Sequence, residues 1–488
     1  MRGSLLVAGT TSDAGKSVLT TALCRSLARR GVSVAPFKAQ NMSNNSMVVA
    51  GPNGEGAEIG RAQWVQAVAA NATPEVAMNP VLLKPGSDLQ SHVVVNGQPA
   101  GVLGAHEFAL SRTELQEAAF AAFDDLRSRF DVVIAEGAGS PAEINLRAGD
   151  FVNMGLAQHA KMPVIVVGDI DRGGVYAAFH GTLDLLSAAD QRLVRGFVIN
   201  KFRGDESLLA PANAEISRRT GRPILGVLPW QADLWLDSED ALDVAVRGST
   251  EINALQVAVV RLPRISNFTD LDALGLEPDV DVRFISRSSD LIGADVVVLP
   301  GTRSTISDLA WLRQRGLADA IAEHANRGLP VLGICGGMQM LGHSISDPAG
   351  AEGSPGARET GLGLLDLTTT FGPEKQLNLP TGAWHEAVVS GYEIHHGKVE
   401  VGPGCEPFPG GGSSGNVFAT MWHGCLESDK FRHALLAEFA NLAARPWERS
   451  DVSFGQAREA RLDTLADLVD ERLDMAAIED LISAGAPG

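Results

Sequence analysis

A short apolar run, Ser4–Ala8, leads into the turn Gly9-Thr10-Thr11-Ser12-Asp13-Ala14-Gly15-Lys16-Ser17, and the turn leads into an Ala- and Leu-rich stretch, Lys16–Arg29, patterned as a helix. Strand, glycine-rich turn and helix in that order leave the backbone few options. The glycines let N–H groups converge, the helix adds the positive end of its dipole, and both aim at a phosphate. The spacing departs from the standard phosphate loop, because the position five before Gly15 is Thr10 and the glycine sits one residue earlier. In this variant loop Lys16 would neutralise β- and γ-phosphates and the Ser17 hydroxyl would coordinate Mg²⁺. Thr11, Asp13, Ala14 and Gly15 would line the nucleotide's cradle.

The same alternation continues down the chain and predicts parallel sheets covered by helices. In the first half the expected strands are Ser4–Ala8, Val32–Phe37, Asp131–Ala135, Pro163–Val167, Gly196–Ile199 and Ile224–Val227. The expected helices are Lys16–Arg29, Ala57–Ala70, His106–Arg129, Gly174–Leu186 and Asp205–Arg219. A polar, acidic passage, Asp237–Asn253, breaks the pattern and reads as a linker. The rhythm restarts with Leu255–Val260, Val282–Ile285, Asp295–Leu299 and Pro330–Ile334, then passes to Leu362–Thr369 and Ala387–Glu393, which read as strands of a second sheet. Ser346–Glu359 and Pro403–Gly415 are rich in Gly, Pro and Ser and read as surface loops. Gln456–Ile482 carries apolar residues at helical spacing among many carboxylates, as an amphipathic helix or helix pair would.

A chain of 488 residues exceeds what one core supports, so two domains with an extra segment are expected: 1–245, 252–445 and a helical 446–488. No apolar run approaches a membrane span, and the first residues lack the greasy stretch of a secretory signal, so the expected location is cytoplasmic. The four cysteines, Cys24, Cys335, Cys405 and Cys425, form no CxxC pair that would suggest zinc or a redox couple. A net charge of −19 disfavours nonspecific binding to DNA, RNA or anionic lipid, all of them polyanions. Small-molecule substrates are the expected partners, since a few local cations suffice for those.

Further polar residues fall where strands end. Asp131-Val-Val-Ile-Ala-Glu136 delivers Glu136 from a buried strand to the edge where open α/β sheets bind ligands, and a carboxylate there can hold Mg²⁺. Lys38 follows the second strand and could meet a phosphate. Asn200 follows another and could read the edge of a base. Asp169 and Asp171 share that sheet edge and could position metal or substrate, or simply cap a turn.

Downstream, Pro330-Val-Leu-Gly-Ile-Cys335-Gly336-Gly337-Met-Gln339 runs an apolar strand into a glycine-flanked cysteine and then a helix. This is the nucleophile-elbow arrangement with sulfur replacing hydroxyl. Small neighbours let the strained backbone be approached closely, a helix N-terminus favours thiolate, and the Gly336 N–H can hold an oxyanion, with Gly301 a second donor. A thiol nucleophile needs a base, and His423 in Met421-Trp-His-Gly424 is the candidate. His395 and His396 are adjacent on an expected strand and would point to opposite faces, which argues against a shared metal.

Beyond the two loops, the segments Phe37-Lys-Ala-Gln-Asn-Met-Ser-Asn-Asn-Ser46, Glu136-Gly-Ala-Gly-Ser-Pro-Ala-Glu-Ile-Asn-Leu146, Gly168-Asp-Ile-Asp-Arg-Gly-Gly174, Asn200-Lys-Phe-Arg-Gly204 and Gly391-Tyr-Glu-Ile-His395 make nearly the whole chain resemble the cobyric acid synthases, glutamine-hydrolysing amidotransferases of cobalamin biosynthesis. The first half is similar to dethiobiotin synthetase and its ATPase relatives, and the second to class I glutamine amidotransferases. The resemblance implies a P-loop-type parallel-sheet domain followed by an amidotransferase α/β domain with an open sheet. It implies ATP and Mg²⁺ as cofactors, Cys335 as glutaminase nucleophile and His423 as its base. Gln339, Tyr392 and Glu393 would then lie near bound glutamine. The acceptor it implies is adenosylcobyrinic acid a,c-diamide, amidated at its b, d, e and g carboxylates. Class I domains place a Glu two residues after the catalytic His; this chain has Cys425 there, leaving Glu427 as a candidate third member. Dethiobiotin synthetase has a metal-binding Asp near the segment that here reads Asn41–Ser46, so a second carboxylate for Mg²⁺ is unassigned. Two alternatives use similar parts: an enzyme amidating the a and c positions of cobyrinic acid, and a ParA/MinD-like ATPase switch. The switch would need neither Cys335 nor His423, and such proteins commonly carry a lysine early in the loop, where this chain has Thr10 and Thr11.

Overall fold

The structure, a computed structural model, describes residues 1–87, 90–104, 112–231 and 254–486. The linker expected at Asp237–Asn253, the domain limits 245 and 252, and the start of the helix expected at His106 lie outside the described residues; that helix is seen as Arg112–Arg129.

A strand with no polar face must be covered on both sides, and Leu5, Leu6, Val7 and Ala8 are all fully buried. They belong to strand Gly3–Gly9, inside a six-stranded sheet ordered Ile224–Pro229, Val194–Phe202, Val164–Asp169, Gly3–Gly9, Val132–Glu136, Val34–Phe37. Every pairing in it is parallel. Because Gly3–Gly9 has Val132–Glu136 on one side and Val164–Asp169 on the other, the chain leaves it in opposite directions, which opens a crevice at the carboxyl ends of the strands. The loop after Gly9, and Glu136 itself, emerge there.

The second large sheet has seven strands. It runs parallel through Val280–Ile285, Leu255–Val260, Val296–Leu299, Val331–Ile334 and Val417–Thr420, then ends antiparallel with Gly411–Ser414 and Glu406–Phe408. Pairing of Leu299 with Gly333 and of Ile334 with Thr420 brings Gly301, Cys335 and His423 to one sheet edge.

Several local expectations are corrected. Ala57–Ala70 is strand Gly56–Gly60 followed by helix Arg61–Ala69, because Gly56 to Gly60 pair antiparallel with Ser46–Ala50 before the helix can begin. Pro403–Gly415 is a hairpin that extends the second sheet. Its glycines serve close approach: a Cβ on Gly411 would lie 2.1 Å from the Ala419 carbonyl oxygen. Ser346–Glu359 contains the end of strand Ser344–Asp347 and most of strand Ala357–Thr360. These join Leu367–Asn378 and Glu393–Val401 in a separate four-stranded sheet, so the segment read as Leu362–Thr369 starts its strand only at Leu367. Ala387–Ser390 belongs to a two-stranded hairpin with Thr381–Trp384.

The segment Gln456–Ile482 is a helix pair, Phe454–Arg472 and Met475–Ala484, and it packs on the first sheet's unit. Leu462, Leu465, Val469, Ile478 and Ile482 share a core with Leu19, Leu23 and Leu27 of the phosphate-loop helix Lys16–Arg29. Around that contact Arg25 pairs with Glu459 at 2.7 Å and Asp463 at 2.9 Å, and Arg29 with Asp467 at 2.7 Å.

The two large units share a polar seam. Lys375, on Leu367–Asn378, binds buried Glu58 of the first unit, where Lys84 also donates at 2.6 Å. The Ser46 N–H donates to Asn267 Oδ1 at 3.0 Å, and Arg61 pairs with Glu427 at 2.8 Å. Tyr392 and Ile394 pack among the first unit's core residues. Among the described residues no helix is long and apolar enough to cross a membrane.

Candidate functional site

At the first sheet's edge the turn closes on its own lysine. Lys16 is 5% exposed, and its ammonium donates to the carbonyls of Thr11 (2.9 Å), Ser12 (3.0 Å) and Gly139 (3.2 Å). Gly15 has φ 102°, in the left-handed region, and a Cβ there would lie 2.0 Å from Asn200 Nδ2, so only glycine fits. The amide of Asn200, expected at the edge of a base, donates to Ala14 O at 2.9 Å and braces the loop. Asp13 pairs with Arg172 at 3.0 Å.

Glu136 is fully buried and tied on both oxygens. Ser17 Oγ and Lys38 Nζ each donate to its Oε1 at 2.9 Å, and Gln66 Nε2 donates to Oε2 at 2.6 Å. Burial opposes its charge, but the Lys38 ammonium, the Gln66 amide and Lys16 outweigh that and hold the carboxyl below the usual carboxylate range. Lys38, expected on a phosphate, stands on Glu136. Ser17 and Glu136 together offer the hard oxygen donors that Mg²⁺ takes. Asp169 and Asp171 do not join them: they pair with Lys201 at 3.0 Å and Arg203 at 2.9 Å. Among the described residues no group of His, Cys, Asp or Glu side chains could hold a metal without further ligands, so a cation here would depend on Ser17, Glu136 and the phosphates of the nucleotide.

At the second sheet's edge Cys335 stands between strand Val331–Ile334 and helix Gly336–Leu341 with φ 51°, a strained left-handed backbone for a side-chain-bearing residue. Room for the turn comes from its neighbours, since a Cβ on Gly337 would lie 1.9 Å from Leu299 O. His423 stands at the same sheet edge as Cys335 and interacts with it electrostatically. Its Nδ1 lies 2.7 Å from Asp270 Oδ2, and Asp270 Oδ1 also accepts the Gly424 N–H at 2.8 Å. Burial works against a charged imidazole, but Asp270 and Cys335 overcome it and push His423 up to about 10. Glu427, the candidate third member, is turned away to Arg61 at 2.8 Å and Arg458 at 2.6 Å. Asp270 has its place instead, on the turn Phe268–Leu271 of an irregular stretch after strand Leu255–Val260, 153 residues from His423 in sequence. No motif in the chain announces it.

The remaining residues fall into place by contact. Tyr392 exchanges backbone hydrogen bonds with His423 and stacks on its ring at 5.4 Å. Gly301 lies beside the imidazole, where a Cβ would come within 2.9 Å of His423 Cε1. Gln339 accepts from Thr305 Oγ1 at 2.9 Å and donates to His396 O at 3.2 Å. Glu393 is directed elsewhere, accepting from Trp422 Nε1 and Asn378 Nδ2. Cys335 and Gln339 line a cavity of about 170 Å³ whose other wall, including Lys84, His92 and Val93, belongs to the first unit. The thiols of Cys24 and Cys425, by contrast, are pushed well up by burial.

Two family descriptions divide the chain between these sites. Residues 5–244 match the CobQ/CobB/MinD/ParA nucleotide binding domain, and residues 256–431 match the CobB/CobQ-like glutamine amidotransferase domain. A cobyric acid synthase from Mycolicibacterium gilvum is 62% identical over 99% of this chain and 97% of its own length. The chain belongs to the cobyric acid synthase family. Cobyric acid synthases from Mycobacterium marinum, at 63%, and Mycobacterium tuberculosis, at 62%, are similar over the same 99% of this chain and 97% of theirs. As a member of that family it is an ATP-dependent glutamine amidotransferase, with its nucleotide-binding and amidotransferase domains on one chain.

Asp270→Asn is expected to lower glutamine hydrolysis by about 10²- to 10⁴-fold, because an amide whose oxygen accepts the Gly424 N–H would turn its NH₂ toward Nδ1 and reverse the tautomer. Steady-state glutamate release measures this. The same contact has a pH signature. His423 is raised above its unfolded value near 6.5, so its contribution to stability is full below that pH and is lost as pH rises through about 10. Thermal melts of the native protein and Asp270→Asn should therefore converge across that window.

Proposed function

We propose that this chain is a cytoplasmic cobyric acid synthase in the strict sense. It would amidate the b, d, e and g carboxylates of adenosylcobyrinic acid a,c-diamide with ATP as energy source and glutamine as nitrogen source. Residues 1–245 would activate the acid and 252–445 would release ammonia, with 446–488 completing the first unit. The observation that carries the reading is the occurrence, in one chain, of the Lys16–Ser17–Glu136 edge and of a second edge that gathers Cys335 with the His423–Asp270 pair.

A carboxylate is a poor electrophile because its charge is delocalised, so the acid must first become an acyl phosphate. Lys16 and the loop N–H groups bind and neutralise the β- and γ-phosphates while the substrate oxygen takes the γ-phosphoryl group and ADP leaves. Ser17 and Glu136 would hold Mg²⁺, which supplies further neutralisation of the phosphates when bound. In the cavity Cys335 Sγ attacks the glutamine side-chain carbonyl. His423, protonated on Nε2 and held through Nδ1 by Asp270, gives its proton to the departing nitrogen, leaving a thioester and ammonia. Water, deprotonated by the same imidazole, then frees glutamate. Ammonia displaces phosphate from the acyl phosphate, forming the amide. It would pass inside the protein, since bulk water would protonate it. A ParA/MinD-like switch has no use for this second set of residues.

The test is turnover of candidate corrinoids with ATP and glutamine, read by product mass. Successive acid-to-amide changes on the a,c-diamide are the expected result. Amidation of cobyrinic acid itself, without reaction of the a,c-diamide, would overturn the substrate assignment.

A further inference from the structure

The cavity beside Cys335 contains an ion pair that the thiol chemistry does not use. Arg303 and Glu352 both line it, with Arg303 Nη1 3.4 Å from Glu352 Oε1. Their side chains are 12% and 5% exposed. Glu352 is not placed by chance. Buried Asp347 accepts the N–H groups of Ala351 (2.8 Å), Glu352 (2.9 Å) and Gly353 (2.9 Å), which folds that turn inward, and Glu352 Oε2 accepts the Thr305 N–H at 2.7 Å.

A 3.4 Å separation is longer than the 2.7–2.9 Å of a well-made charged hydrogen bond, so each group retains capacity for another partner. Burial correspondingly lifts the Glu352 carboxyl to about 7, only partly offset by Arg303. The other cations on this wall are differently committed: Lys84 and Lys375 both bind Glu58. Arg303 and Glu352 are thus opposite charges, side by side, in the same enclosed space as the nucleophile.

A free α-amino acid carries that pattern in complement, an ammonium and a carboxylate on one carbon. We propose that Arg303 and Glu352 form the zwitterion-reading end of the cavity, Arg303 binding the α-carboxylate and Glu352 the α-ammonium of the amide donor while its side-chain amide meets Cys335. This deepens the glutaminase reading and rests on it. The pair would select free glutamine over amides that lack either charged group, including asparagine or glutamine residues within peptides.

The experiment measures ammonia release, with ATP and corrinoid acceptor present, from glutamine, from glutaramate (no α-amino group) and from 4-aminobutanamide (no α-carboxylate). The wild-type protein should prefer glutamine to each analogue by about 10- to 100-fold, as expected for loss of one charged hydrogen-bonding partner. Glu352→Gln should erase most of the preference over glutaramate and keep that over 4-aminobutanamide. Arg303→Met should do the opposite, and Arg303→Lys should restore part of the preference over 4-aminobutanamide. ATP-driven amidation with added ammonium reports whether each variant is folded, and Arg303→Lys serves if Arg303→Met is not. Equal loss on all three donors in either variant would overturn the proposal. Failure of the wild type to release ammonia from glutamine would instead sink the glutaminase reading itself.

Discussion

Cys335→Ala abolishes amidation with glutamine and leaves amidation with added ammonium: this is the expected outcome of the most damaging single change in the chain. The expected loss is on the order of 10⁴-fold or more, because the thioester path disappears and no neighbouring nucleophile replaces it. Cys24 and Cys425 cannot, being buried with thiols pushed well up. The ammonium arm should survive because Cys335 lies on the second sheet and the Ser17–Glu136 contact on the first. Both nitrogen sources would be compared in one assay by corrinoid product mass. Loss of both would mean that the two sites do not divide the reaction.

Lys16→Ala reverses the pattern. Amidation should fall with glutamine and with ammonium alike, by about 10²- to 10³-fold, the usual cost of removing one group that stabilises developing charge. The effect has a structural component as well, since the ammonium also gathers the carbonyls of Thr11, Ser12 and Gly139. Glutamine hydrolysis, followed as glutamate release, should persist at least in part. ATP-driven amidation at wild-type rate in this variant would remove the loop from the mechanism.

Local signals made much of this architecture legible. The loop from Gly9 to Ser17 and the elbow at Cys335 each consist of neighbours in sequence, so glycine spacing and an apolar strand suffice to find them. Glu136 was legible because a strand's last residue has only one place to go. Asp270 was not, because its only mark is a contact with His423 made across 153 residues by folding. Glu427 was the natural guess by proximity, yet Arg61 and Arg458 claim it. Glu352 was hidden by composition: a passage rich in Gly, Pro and Ser reads as surface, whereas Asp347 turns it inward through backbone N–H groups that carry no sequence signature. Gly56–Gly60 failed for a similar reason, its strand pairing with Ser46–Ala50 overriding a helix-like pattern.

The helices Phe454–Arg472 and Met475–Ala484 follow the whole rear sheet in chain order, yet they shield the front helix Lys16–Arg29. Leu19, Leu23 and Leu27 also pack against Leu5, Val7 and Ile134 of the front sheet, so the late helices complete a core that the sheet begins, and it closes only when nearly the whole chain has been made. A chain ending ahead of Phe454 would hold every strand of the rear sheet, the last of them Val417–Thr420, beside a front core still open on the side those helices cover.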